Sequence, residues 1–189
     1  VVESVKLQDL LNRSRSGIVE KWFELILDTY PKDTSKFLRM AKDPFANPVR
    51  STILQGIEGI LEEILEDREN PGALNEFLDR VIRIRSVQDF SPSQALAFVF
   101  SLKTVVRQVL GKEIREQGLQ DQLQGLESRV DSLALRAFDV YMACREAVYE
   151  LRVGEIKRQR EAAIRMLERS NRAIEKRMQK EEALPRESE

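Results

Sequence analysis

The chain has 189 residues, of which 33% are charged and 6% aromatic, with one cysteine, no histidine and a formal net charge of −1. That length suits one domain with a core of its own plus an appendage. The missing histidine excludes a Ser-His-Asp triad, most zinc sites and the usual proximal haem ligand, and a lone Cys144 excludes an internal disulfide.

The elements are all helical, in chain order. Ser4–Asn12 carries Val5, Leu7, Leu10 and Leu11, a short amphipathic helix that Ser4 can cap. In Ser14–Thr29 the pairs of rows Ile18, Trp22, Ile26 and Val19, Phe23, Leu27 form one apolar face, with Trp22 as a core anchor. Tyr30-Pro31 ends that helix, because a residue before proline avoids the helical region. Thr34–Ala41 reads as one or two turns that contribute Phe37, Leu38 and Met40. In the connector Asp43–Pro48, Phe45 is expected to pack inward, and Asn47 caps the next helix with Pro48 at its first position.

A helix of about 49–68 shows Ile53, Ile57, Ile60, Leu61 and Ile64 on one face. Gly56 and Gly59 inside it cost about 1 kcal/mol each relative to alanine, which a close helix crossing compensates. A small ligand approaching the two glycines is the alternative. Asn70-Pro71 repeats the cap-then-proline device, and the helix of about 72–86 buries Leu74, Phe77, Leu78, Val81 and Ile82. Arg83 and Arg85 close it as surface residues complementing a helix C-terminus. An anion site formed with Lys103 or Arg107 is the alternative reading.

Ser91–Gly111 is the inner helix of the domain. Ser91 and Gln94 make a capping box, Pro92 suits the first position, and Gly111 supplies a stop. Its first turns are apolar nearly all round, so Leu96, Phe98, Phe100, Leu102, Val105 and Val109 are assigned to the core with Trp22, Phe45 and Phe77. Residues 112–125 are polar. From about Leu126 a helical pattern runs without proline until Pro185, and to Met178 it measures on the order of 80 Å.

Beyond Leu151 the apolar content thins. Tyr149, Val153, Ile156, Arg160, Ala163, Leu167, Ser170 and Ile174 alternate by fours and threes, a heptad seam that an Arg and a Ser weaken. Of these, Tyr149, Val153, Ile156, Ala163, Leu167 and Ile174 are the candidate interface. Residues 152–180 hold ten Lys/Arg against four acidic residues, about +6, so the rest of the chain is about −7. The expected organisation is a helical sensor domain over 1–150, a basic linker or coiled-coil helix over 151–180 and a disordered tail over 181–189.

No catalytic, cofactor-binding or metal-binding residue emerges. G-x-x-x-x-G-K-[ST] and G-x-G-x-x-G are both missing. Cys144 has Arg145 beside it but no histidine to act as base, and reads as a partly buried core thiol. The carboxylates of Glu62-Glu63 and Glu66-Asp67 fall on polar helix faces. The chain is therefore read as a protein-interaction module and not an enzyme. The longest apolar run, Ala95–Phe100, is too short to span a bilayer. No leader of charged, apolar and small residues opens the sequence, and a cytoplasmic location is expected.

Three stretches carry a family resemblance: LLNRSRSGIVEKWFELILDTY, DPFANPV and RIRSVQDFSPSQALAFVFSLKTVV. Over roughly residues 4–150 the chain resembles the N-terminal domain of the RsbRD-type co-antagonists of the bacterial stress-response regulator RsbT. The resemblance implies an all-helical, globin-like sensor domain without enzymatic activity. It implies dimers that pass a signal down a linker helix, in related sensors to a C-terminal STAS domain within a stressosome. The missing histidine agrees with a globin-like fold that holds no haem. The expected partners are a second copy and a regulatory protein, with a small-molecule ligand unidentified. The other functional reading, nucleic-acid or anionic-membrane binding through the basic helix, fits less well because acids at 155, 161, 168 and 175 interrupt the basic residues.

Overall fold

The computed structural model describes residues 6–40, 43–66, 71–86 and 90–182. Among them lie seven helices and no strand: α1 (Leu7–Arg13), α2 (Arg15–Leu27), α3 (Lys32–Met40), α4 (Pro48–Glu66), α5 (Pro71–Ser86), α6 (Pro92–Glu116) and α7 (Gln120–Glu182). The chain divides into two units, Val1–Arg145 and Glu146–Glu189. Ser4 and Asn70, expected as caps, and positions 183–189 of the expected tail lie outside the described residues.

In the first unit α6 packs against α1, α2 and α5, and α4 packs against α1, α2, α3 and α5. α6 starts as its sequence dictates. The Gln94 N–H donates to Ser91 Oγ at 3.3 Å, and the Ser91 N–H donates to Gln94 Oε1 at 2.9 Å. Its buried stripe is Ala95, Leu96, Phe98, Val99, Leu102, Val105 and Val106, with Val109 partly buried. Trp22 is fully enclosed: its ring stacks on Phe98 at 6.3 Å, and its Nε1–H donates to the Phe98 carbonyl at 2.7 Å. An indole buried this way keeps its polar end satisfied.

α6 does not stop at Gly111. The apolar row Val106, Leu110, Ile114 continues one turn past it, and all three side chains are buried. The stop is Gly118, at φ 66°, after Gln117. The Leu119 N–H donates to the Ile114 carbonyl at 2.9 Å and the Gly118 N–H to the Arg115 carbonyl at 3.3 Å, a Schellman closure with Leu119 buried as Ile114 is. α7 then begins at Gln120, six residues before Leu126, because Leu119, Leu123 and Leu126 already give its first turns an inner side.

Two residues assigned to the core are on the surface. Phe100 is 49% exposed, and its neighbours Ala97 and Thr104 along the same side of α6 are exposed too. Phe45 is 96% exposed. Its N–H donates to Asp43 Oδ1 at 3.0 Å, so the turn closes on its own polar groups. The inward place goes to Asn47, whose Oδ1 accepts the Arg50 N–H at 3.0 Å and caps α4. Phe37 and Met40 are also exposed; of α3, Leu38 and Ser35 are buried.

The α4–α5 crossing explains the two helix glycines. A Cβ on Gly56 would lie 2.4 Å from Val81 Cγ2, and one on Gly59 would lie 2.5 Å from Phe77 Cε1. The neighbouring helix fills the space a side chain would need. Phe77, assigned to the core, is partly buried, and its ring covers Gly59.

Candidate functional site

In the first unit, the ends of three helices meet at Arg85. Leu74, Leu78, Val81 and Arg85 follow one another by fours and threes, so α5 carries Arg85 on its buried side. The side chain is 0% exposed, which corrects its expected surface role. Its Nε–H donates to the Ala95 carbonyl at 3.1 Å; Nη2 donates to the Gln94 carbonyl at 2.9 Å and to Thr29 Oγ1 at 3.0 Å. The guanidinium thus joins the end of α2 to the first turn of α6. Its carbon lies 4.3 Å from the centre of the Phe90 ring, 5.4 Å from Tyr30 and 6.0 Å from Phe98. These ring faces offset part of the loss of water around the cation.

No carboxylate bonds Arg85 among the described residues. Burial lowers its pKa, with Tyr30 acting against that shift, and burial raises the Tyr30 phenol. Arg85 Nη1 and the Tyr30 hydroxyl are both buried, and apart from the interaction between Tyr30 and Arg85 neither has a hydrogen-bond partner. The other cations named from sequence do not join this centre. Arg83 pairs with Asp79 at 3.0 Å, Lys103 with Asp131 at 2.5 Å and Arg107 with Glu127 at 2.6 Å. Sequence reasoning missed the roles of Thr29, Tyr30 and Arg85 here. The available signal was the α5 spacing, which put an arginine on the apolar stripe.

Cys144 Sγ lies 3.7 Å from Asp79 Oδ1, and burial, then the Asp79 charge, raises its pKa. Arg145 reaches the Ser86 carbonyl instead, at 3.3 Å. Among the described residues no group of three or more His, Cys, Asp or Glu side chains is placed to hold a metal ion. No helix among them is long and apolar enough to cross a membrane.

Among the described residues, the second unit is the remainder of α7, from Glu146 to Glu182. Tyr149, Ile156, Leu167 and Ile174 are 68%, 65%, 64% and 52% exposed; Ala163 is exposed and Val153 half-buried. All six fall on the row of alternating fours and threes. Some of the charges between them pair along the helix: Arg158 with Glu155 at 3.1 Å and Arg165 with Glu161 at 3.8 Å. Exposed pairs of this kind contribute little and leave the apolar row uncovered. In the first unit, Leu135, Phe138 and Met142 are also exposed, at offsets of three and four on α7.

Among the described residues the first unit is an all-helical domain with a buried basic centre. The family described as RsbT co-antagonist protein rsbRD N-terminal domain matches residues 16–155. The chain belongs to that family, a regulatory signalling domain. It is also similar to an uncharacterized protein of Archaeoglobus fulgidus, 24% identical over 162 residues that cover 85% of this chain and 96% of the relative. No solved structure matches.

Proposed function

We propose that the chain is a non-catalytic sensory module in which residues 1–150 receive a signal and residues 151–180 pass it on by pairing with a second copy. The observation that carries the reading is the apolar row Tyr149, Val153, Ile156, Ala163, Leu167 and Ile174, largely open to water in a single chain. Fully burying a Leu or Ile side chain stabilises by about 1.5–3 kcal/mol, so a paired seam has a substantial driving force. A helix without tertiary packing is marginal in water, which favours a covered state for this segment. Membership of the RsbRD family supports a regulatory protein partner, a cytoplasmic setting and the globin-like arrangement implied by the resemblance. The acids interleaved along the basic segment, two of them in ion pairs, favour a solvated coiled coil over a nucleic-acid surface.

Sedimentation equilibrium of the full chain tests the proposal against a chain carrying Ile156→Glu and Leu167→Glu. The wild type is expected to be a dimer at micromolar concentration and the double variant a monomer with unchanged melting of residues 1–145. A wild type that stays monomeric at high concentration, or a double variant that dimerises equally well, refutes pairing through this row.

A further inference from the structure

The heptad positions of the second unit sort its charges by side. With Val153, Arg160, Leu167 and Ile174 at a, and Tyr149, Ile156, Ala163 and Ser170 at d, every acid between 152 and 179 falls on an outer position, b or c: Glu155, Glu161, Glu168 and Glu175. The inner positions a, d, e and g of the same stretch carry Arg152, Lys157, Arg160 and Arg177 and no acid. The ion pairs of Arg158 with Glu155 and of Arg165 with Glu161 join outer positions to one another. Among the described residues no carboxylate pairs with the four inner cations. A second copy brings the same cations and no acid to the seam, so pairing of two copies leaves that positive charge without a counter-charge.

The apolar strip is also wider than two strands cover. Ile164 and Met178 at e, and Met166 and Ala173 at g, border the seam where a two-stranded coil places charged residues. Ile164, Met166 and Met178 are 43%, 75% and 58% exposed. From 157 to 178 the strip runs three heptads, about 32 Å. We propose that it is the docking surface for an amphipathic helix of another protein, one whose apolar stripe is bordered by Asp and Glu. Its carboxylates would answer Arg152, Lys157 and Arg160, and its apolar stripe would cover Ile164, Met166 and Met178. Nucleic acid answers the cations but leaves those three side chains in water. A bilayer fits less well, because the strip has no aromatic residue and carries Arg160 on its seam. As the regulatory partner of a sensory module the acidic helix rests on the function proposed above; as a docking surface the strip rests on this arrangement of residues alone.

The test titrates the full chain against a dye-labelled synthetic helix of about four heptads with Leu at a and d and Glu at e and g, followed by fluorescence anisotropy. Its scrambled sequence, a short DNA duplex and phosphatidylglycerol vesicles are titrated at the same ionic strength. Saturable binding of the acidic helix is expected, weakening as salt is raised, with none of its scrambled form. Ile164→Ser, Met166→Ser removes two bordering side chains and leaves a and d untouched. It is expected to weaken the midpoint by about tenfold or more, with the chain's own oligomeric state as in the wild type. Lys157→Glu is expected to weaken it as well and to flatten its salt dependence. Equal binding of the scrambled peptide, an unchanged midpoint in the Ile164→Ser, Met166→Ser chain, or tighter binding of the duplex or the vesicles overturns the proposal. Sedimentation of the wild type without peptide reads the pairing of copies separately. A monomer that binds the acidic helix refutes that pairing and keeps the docking surface; a dimer that ignores the acidic helix does the reverse.

Discussion

Gly56→Ala sets two effects of opposite sign against each other. Alanine in a helix interior gains about 1 kcal/mol over glycine. Here the new methyl would sit 2.4 Å from Val81 Cγ2 and 3.3 Å from the Phe77 carbonyl oxygen. Val81 is fully buried and β-branched, so its χ1 has little freedom to turn away. The carbonyl moves only if α5 moves. Overpacking of this kind costs about 1–3 kcal/mol, which leaves a net loss of about 1 kcal/mol. That corresponds to a fall in melting temperature of about 2–5 °C for a domain of this size. Urea denaturation followed by circular dichroism measures it. Gly111→Ala is the control, because nothing lies within 4 Å of a Cβ there, and it should stabilise by up to about 1 kcal/mol. Val81→Ala removes the clashing methyl, so the Gly56→Ala, Val81→Ala cycle should show favourable coupling of at least about 0.5 kcal/mol. If Gly56→Ala stabilises as much as Gly111→Ala, the close crossing of α4 and α5 is wrong.

Gly118→Ala should destabilise by about 1 kcal/mol, since φ is 66° there, and a neutral result in the same denaturation assay would remove the Schellman closure. Hydrogen bonding to Arg107 is the main cause lowering the pKa of Glu127 below its usual 4.5. Its stabilising effect is therefore fully present above the unfolded value and is lost as pH falls through the lower folded value. Melting temperatures between about pH 5 and pH 3 should thus fall less steeply for Arg107→Gln than for wild type; parallel curves would dissociate the pair from acid stability. Cys144, its pKa raised by burial and by Asp79, should react with iodoacetamide at neutral pH more slowly than a free cysteine. Equal rates would contradict its placement.

Features written in neighbouring residues were legible in the sequence. The Ser91–Gln94 box, the Asn47 cap and the glycine crossing each depend on two or three side chains whose chemistry allows few alternatives. Features set by which side of a helix receives a neighbour were not. Phe98 and Phe100 have the same hydrophobicity, yet one lies against Trp22 and the other is half exposed, because two positions along a helix point to different sides. Phe45 went outward because Asp43 closed its turn locally and Asn47 took the inner place. At Gly111 the residue type suggested a stop, but Ile114 carried the buried row onward and Gly118 ended it. At Arg85 the charge points to the surface, but the helical period of Leu74, Leu78, Val81 and Arg85 puts it inside.

Pairing through the end of α7 is tested most directly by amide hydrogen exchange across residues 149–178 at several protein concentrations. If a second copy covers the row, protection there rises with concentration and disappears in the Ile156→Glu, Leu167→Glu chain, while α2 remains protected throughout. Protection that is independent of concentration and of those two substitutions would contradict the account.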